Sequence, residues 1–201
     1  MSADFKGTLA DQNTQTEPEG IETVPCTVSV IDEMKRISDR IFPIIYHQDF
    51  YEKLFSNTTE VYLVKNRTQN IGIFAVRIIK PAFPWIFGKN DGVTKDVCSI
   101  CKKRKDTTKE ALEKRFVYII IIGLLPDERS KGYGGVMIRK IEEITSKHGM
   151  EHIVLHVQAS NVQAMSFYYR IGFKLVAHVK DYYCNIEPKD ALLLRKCLYQ
   201  Q

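Results

Sequence analysis

Apolar residues recur along the chain with two different spacings, and the switch between them outlines the elements. Ile31, Met34, Ile37 and Ile41 fall three, three and four residues apart, which predicts one apolar face of a helix. Ser29 stands where it can cap that helix, and Pro43 ends it. Ile21 to Thr27 predicts a strand before it, and Phe50 to Phe55 a short helical turn after it. Val61 to Val64 and Ile71 to Ile79 read as two strands, with the polar link Asn66 to Asn70 as their hairpin. The run from Tyr118 to Leu125 is dense in β-branched isoleucine and predicts a strand buried on both faces. Met137, Ile141 and Ile144 return to helical spacing. His152 to Gln158 then predicts a strand, and Asn161 to Ile171 a helix with Gly172 as its C-terminal cap. Phe173 to His178 and Ala191 to Leu198 predict two last strands. The order β-α-β-β-β-α-β-α-β-β implies an α/β sheet with helices on both faces.

Composition changes this picture at two places. Residues 1–20 carry Asp4, Asp11, Glu17 and Glu19 against Lys6 alone, with few apolar side chains, and predict a disordered acidic tail. The folded domain is expected over 21–198. Within it, the stretch at about 80–114 holds Pro81, Pro84, Gly88, Gly92 and the aromatics Phe83, Trp85 and Phe87, and predicts a long insertion. Cys101 to Arg115 adds seven basic residues against three acids, so this segment carries most of the formal net charge of +5. A solvated loop is one reading of that run and a contact to ribosomal RNA another. Cys98 and Cys101 have metal-ligand spacing but lack two nearby partners, so no metal is expected. Five scattered cysteines, an odd number, point to a reducing cytoplasmic or nuclear setting. No apolar run is long enough for a membrane span, and the N-terminus lacks the basic-then-apolar order of a signal peptide.

The chemistry is concentrated where the isoleucine strand ends. Pro126 and Asp127 stop it, and Arg129-Ser130-Lys131-Gly132-Tyr133-Gly134-Gly135 leads into the next helix. Strand, Gly-rich turn and helix start make an anion site, because glycines admit close backbone approach and the helix N-terminus faces negative charge. Nucleotide loops do not fit: a dinucleotide fingerprint needs glycine where Met137 stands, and no Gly-Lys-Ser/Thr follows. Arg-x-x-Gly-x-Gly, Arg129 to Gly134, resembles the acyl-CoA pyrophosphate loop of the GNAT N-acetyltransferases. Leu155 to Val176, LHVQASNVQAMSFYYRIGFKLV, is similar to the second half of that family's core. With Phe42-Pro43, Tyr182-Tyr183 and Ile186-Glu187-Pro188, the chain resembles the family members that acetylate protein N-termini.

That resemblance implies the GNAT acetyltransferase fold, a mixed, mostly antiparallel sheet, and acetyl-CoA as cosubstrate. It implies acetyl transfer to the α-amino group of proteins, with methionine and a hydrophobic second residue at the favoured N-terminus. Tyr118 and His156 would handle a water-mediated proton transfer. Arg129, Ser130, Lys131, Gly132, Tyr133, Gly134 and Gly135 would hold the pyrophosphate, and Ile120 and Leu124 would also contact the cofactor. Asn161 would lie beside the pantetheine and Tyr168 near the thioester sulfur. Phe42, Pro43, Ile44, Tyr46, Tyr182 and Tyr183 would line the peptide groove. Partners implied are protein N-termini, the NatA complex and the ribosome.

Those residue types suit the reaction. An α-amino group has a pKa of about 7.7–8.0, whereas a lysine amine sits near 10.4, so a modest base serves an N-terminus. A histidine near pH 7, or a tyrosine and histidine gripping a water, would supply it. Strand amides from Ile120 to Ile122, splayed from their neighbour, would stabilise an oxyanion, and Tyr168 would protonate the departing thiolate. Structural alternatives stand beside each role: a half-buried structural His156, a core aromatic at Tyr118, a packing residue at Tyr168. Competing functions are a Golgi-associated N-terminal acetyltransferase, a lysine acetyltransferase, and a non-catalytic scaffold subunit of a ribosomal acetylation complex.

Overall fold

The computed structural model describes residues 20–79, 115–184 and 186–198. The expected acidic tail, Gly20 apart, and the expected insertion at about 80–114 with Cys98 and Cys101 lie outside these residues. Seven strands form one sheet: β1 (Glu22–Pro25), β2 (Thr59–Lys65), β3 (Asn70–Ile79), β4 (Phe116–Leu124), β5 (His152–Gln158), β6 (Lys174–Val179) and β7 (Ala191–Cys197). Their order across the sheet is β1-β2-β3-β4-β5-β7-β6. Every neighbouring pair is antiparallel except β4 with β5.

Among the described residues, four α-helices cover the two faces. On one side α1 (Ile31–Ile41) and α2 (Gln48–Leu54) cluster with alternate residues of β2 and β3 and with Ile121. The four periodic residues of α1 are all buried there, and truncating Met34 to alanine would cost about 2–5 kcal/mol. On the other side α3 (Tyr133–Lys147) buries Met137, Ile138, Ile141 and Ile144 over Phe74, Val76, Val117 and Ile119. The short α4 (Val162–Arg170) joins that cluster through Ala164, Met165, Phe167 and Tyr168.

Two expectations need correction. Ser29 does not cap α1: it sits in a 3-10 turn, Val28–Val30, with its hydroxyl 2.8 Å from that of Thr27. The helix starts from Val30 without a side-chain cap, and Asp32 and Glu33 in its first turn face the positive end of the dipole. The isoleucine strand is also less evenly covered than expected. Ile119 and Ile121 are buried, while Ile120 and Ile122 are only half-buried. The hairpin link behaves as its composition predicts, with Asn66 Oδ1 accepting from the backbone N–H of Thr68 and Gln69.

Candidate active site

Two irregularities of β4 create the site. The first lies on its β3 side, where Ala75 pairs with Ile121 but Val76 pairs with Ile119. Ile120 is the extra residue of a β-bulge, so both Ile120 and Ile121 turn towards the α1 side of the sheet. The second lies on its β5 side. The parallel register covers only Phe116↔His152, Val117↔Ile153 and Tyr118↔Val154. Past Tyr118 the two strands share no register, and a gap opens between them.

Tyr118 stands at the start of that gap. His156 lies two residues beyond Val154, on the same face of β5, so the pleat aims it towards Tyr118. The Tyr118 hydroxyl is 2.9 Å from His156 Nδ1. A third ring closes on the pair from the β6–β7 connection: Tyr182 brings its hydroxyl 3.2 Å from that of Tyr118. Its ring stacks on the His156 imidazole, with centroids 4.2 Å apart and planes 13° from parallel. Burial pushes the imidazole down to about 3, so it is neutral throughout the physiological range. This replaces the expected histidine near pH 7. A neutral imidazole with its proton on Nε2 accepts the Tyr118 O–H at Nδ1, so the Tyr182 O–H donates to the Tyr118 oxygen and one lone pair of that oxygen remains for a substrate proton.

Aromatic walls rise on both sides of Tyr118. From the α1–α2 link come Phe42 and Tyr46, edge-on at 5.8 Å, with Tyr46 stacked on Phe50 at 4.3 Å. Pro43 is exposed and Ile44 half-buried in the same link. Ile45, which the sequence reading passed over, projects 81% exposed. From the β6–β7 side Tyr183 packs edge-on against Tyr182 at 4.8 Å. The Tyr46 phenol is held above its ordinary pKa by burial first, then by Tyr51 and Tyr118. Tyr183 is raised by burial, then by Tyr118, Tyr46 and Tyr168. The mutual influence means these phenols converge on one space.

At the other end of β4 lies the anion loop. Gly132 is the residue before α3 and adopts a left-handed φ of 84°, a conformation that a side chain disfavours. No side chain caps α3 and its first turn holds no acidic residue, so its leading amides and dipole suit a diphosphate. A Cβ at Gly134 would come within 3.0 Å of the Phe167 ring, so that glycine lets α3 and α4 approach. Gly135 donates its N–H to the Gly132 carbonyl at 2.9 Å. Ser130 shares the left-handed region, and Lys131 pairs with Glu128 at 3.0 Å. Tyr133 packs against the core at the helix start.

Arg129 also ties backbone segments together. Its guanidinium donates to the carbonyl of Leu124 at 3.2 Å and to that of Ile41 at 3.3 Å. It fastens the loop to the end of β4 and to the last turn of α1, immediately before Phe42.

A sequence profile described as the acetyltransferase (GNAT) family matches residues 31–173. The chain belongs to the GNAT acetyltransferase family. It is 30% identical over 179 residues to N-alpha-acetyltransferase 50 of Danio rerio, covering 89% of each chain. A Drosophila melanogaster protein described as probable N-acetyltransferase san is 31% identical over 179 residues, 89% of this chain and 81% of that one. Among solved structures, Arabidopsis thaliana Naa50 in complex with the bisubstrate analogue CoA-Ac-MVNAL superposes with a TM-score of 0.64 at 23% identity. That match covers 88% of this chain and 98% of the other.

As a GNAT enzyme the chain is an acetyl-CoA-dependent acetyltransferase. Its residues fit that cosubstrate: an uncapped helix N-terminus for the diphosphate and a gap beside the β4 bulge for the arm that carries the acetyl group. Two expected cofactor residues turn out to have structural partners. Asn161 is the N-cap of α4, accepting from Ala164 N–H at 3.0 Å. Tyr168 is 7% exposed and flanked by the rings of Phe167 and Phe173, each at 5.3 Å. Burial raises its phenol pKa, so the hydroxyl stays protonated and is a weaker acid than a free phenol.

The sequence reading missed Gly123. A Cβ there would lie 2.5 Å from Ile41 Cγ2 and 2.8 Å from Phe42 Cζ. Its absence lets the Phe42 ring lie against β4. A glycine inside a strand run was the available signal, since it marks a close approach.

Proposed function

We propose that this chain acetylates the α-amino group of proteins, favouring N-termini that begin with methionine and a hydrophobic residue. In this reading it acts as N-alpha-acetyltransferase 50 does, as the catalytic subunit of NatE. The observation that carries the proposal is the Tyr118–His156 hydrogen bond at the mouth of the β4–β5 gap, flanked by aromatic walls. Acetyl-CoA supplies an acetyl group activated as a thioester. The residues of this chain hold the amine, receive its proton and shield the gap from water.

The neutral His156 narrows the substrate. An imidazole held down to about 3 is a weak base, unable to strip a proton from a lysine ammonium. An α-amine needs little help, because a pKa of about 7.7–8.0 leaves a tenth or so of it neutral at pH 7. Lysine at about 10.4 needs roughly 3–4 kcal/mol more for the same deprotonation. Once bonded to the acyl carbon the nitrogen becomes strongly acidic, and its proton can pass to the Tyr118 oxygen as Tyr118 yields its own to His156 Nδ1. The C–S bond then breaks, and the departing coenzyme A thiolate takes up a proton as His156 returns to neutral. Amides of β4 from Ile120 to Ile122, at the bulge and beside the gap, would stabilise charge on the acetyl oxygen. The walls of Phe42, Tyr46 and Tyr183 suit an apolar leading side chain. The first residues of the analogue bound to Arabidopsis Naa50, Met-Val, support that class.

The setting we propose is the cytoplasm, beside the NatA complex and the ribosome, on the strength of the likeness to N-alpha-acetyltransferase 50. Among the described residues no helix is long and apolar enough to cross a membrane. The decisive assay offers a Met-Leu-starting peptide and a twin whose α-amine is blocked but which carries an internal lysine. The first should be acetylated far faster. Equal rates would overturn the α-amine reading. Co-sedimentation with ribosomes in the presence and absence of NatA tests the setting separately.

A further inference from the structure

Tyr182 faces the proton-handling pair more than it faces the groove. It is only 8% exposed, so little of it is left to line a surface for peptide. It touches both members of the pair: hydroxyl to hydroxyl with Tyr118 at 3.2 Å, and ring on ring with His156 at 4.2 Å, besides its edge-on contact with Tyr183. We infer that Tyr182 is a positioning residue for Tyr118 and His156, fixing the hydroxyl of one and the ring plane of the other. This rests on the reading of those two residues as the groups that take the substrate proton.

The geometry explains why such a residue is needed. A phenol hydroxyl rotates about its C–O bond, and an imidazole on a strand can swing about two torsions. One hydrogen bond between them leaves both freedoms partly open. The stacked ring limits the imidazole to its plane, and the second hydroxyl selects the Tyr118 rotor that meets Nδ1. Stacking also keeps water off the imidazole, in agreement with its lowered pKa.

The connection that carries Tyr182 is itself held in place. Asp190 accepts the Asp181 N–H at 3.0 Å with one carboxylate oxygen, and its other oxygen lies 2.9 Å from His178 Nε2. Asp181 has a left-handed φ of 51°, a conformation costly for a non-glycine residue unless its surroundings impose it. The Tyr183 N–H bonds the Lys189 carbonyl at 2.9 Å, and Gln158 Nε2 donates to the Pro188 carbonyl at 2.9 Å. Those bonds bracket Tyr182 on both sides and anchor its loop to the end of β5.

The test separates positioning from peptide binding. Tyr182→Phe keeps the stacked ring and removes the hydroxyl. It should lower kcat about three- to tenfold, the weight of one hydrogen bond, with the peptide KM changed less than about twofold. In a Tyr118→Phe background the same substitution should cost nothing more, because its effect runs through the Tyr118 hydroxyl. A rise in peptide KM at constant kcat, or losses that multiply, would overturn the inference. A second readout needs no turnover: titration of His156 by NMR in the folded protein. Tyr182→Phe should leave the imidazole titrating as in the unaltered chain, and Tyr182→Leu, which removes the stack while keeping an apolar side chain, should move it upward. If His156 titrates identically in Tyr182→Leu, the ring does not position it and the inference fails. That result is distinguishable from failure of the proposed activity, which would leave the titration difference intact while no peptide is acetylated.

Discussion

The two ends of β4 are held by different physics. At its C-terminal end the anion loop is a matter of backbone and space: Gly132 in a left-handed conformation, Gly134 making room for Phe167. At its N-terminal end the reacting pair is a matter of side chains, Tyr118 meeting partners 38 and 64 residues further along. A local constraint leaves its mark on consecutive residues. One spread over two strands and a connecting loop leaves only isolated aromatics that resemble any others. The difference also predicts how each end fails. Substitutions in the loop should act sterically, on cosubstrate affinity. Those in the network should act on rate and on pH dependence while binding persists.

The largest effect belongs to the network. With a Met-Leu-starting peptide, Tyr118→Phe and His156→Ala should each lower kcat by about 10²–10⁴. The double variant should be little worse than either, since the two act as one unit. Acetyl-CoA affinity should survive: ligand at 100 times its Kd should still add about 2.7 kcal/mol of stability to either variant. Losing that thermal shift would break the comparison. The pH response sharpens it. His156 is held below its ordinary 6.5, at about 3, so the unfolded chain binds the extra proton between those values. Its contribution to stability is therefore intact above pH 6.5 and is lost as pH falls towards 3. Unfolding curves at pH 7, 5.5 and 4 should show a shallower decline for His156→Phe than for the unaltered chain. Parallel declines would mean that the imidazole is not desolvated.

Next in size come the loop glycines. Valine at Gly132 must adopt an unfavourable left-handed conformation, at about 1–2 kcal/mol. Valine at Gly134 presses on Phe167 and should cost about 1–3 kcal/mol of stability. Both should weaken acetyl-CoA binding by about tenfold or more, because the amides that meet the diphosphate move with the strained backbone. The pH profile of kcat should stay unchanged. A folded Gly134→Val with normal affinity for acetyl-CoA would show that the diphosphate does not use this loop.

Much of this architecture was legible because period and polarity speak directly. The α1 stripe, the Asn66 hairpin and the run from His152 to Gln158 all fall where their spacing put them. The bulge was not legible, and the reason is physical. Ile119 to Ile122 are four identical residues, and an unbroken apolar run cannot say where two neighbours turn to the same side. Nor can a sequence say that β4 and β5 pair over three residues and then part. Tyr182 was set in the groove by the family resemblance, which says nothing of its closeness to Tyr118 and His156. Its contacts depend on the path of the β6–β7 connection. Ser29 misled for the opposite reason: the residue type was right for a cap, but a 3-10 turn took its place.

A smaller effect tests how the groove wall leans on β4. Gly123→Ala places a methyl group against Ile41 and the Phe42 ring, both part of the α1 end that Arg129 also grips. The expected cost is about 1–2 kcal/mol of stability, at the lower end for an overpacked contact. The peptide KM should rise because the Phe42 ring is displaced, while acetyl-CoA affinity holds. A change confined to acetyl-CoA would mean that the Arg129 link transmits the strain to the loop rather than to the groove.

The smallest expected effect falls on Asn161, which the family resemblance set beside the pantetheine and the structure makes the N-cap of α4. If the cap is its main role, Asn161→Ala should cost about 1 kcal/mol by exposing the Ala164 N–H. Asn161→Asp and Asn161→Ser, both good caps, should restore most of that stability. Affinity for acetyl-CoA then divides the two roles. A cap acting only through α4 predicts that stability and affinity recover together in the serine and aspartate variants. A direct amide contact to the pantetheine predicts stability without affinity, since aspartate lacks the carboxamide's donor and serine's single hydroxyl is too short to replace the planar amide. Chemical unfolding and calorimetric titration on the same three variants decide it. Recovery of both would place Asn161 with Gly132 and Gly134, among the residues that serve acetyl-CoA by shaping the backbone around it.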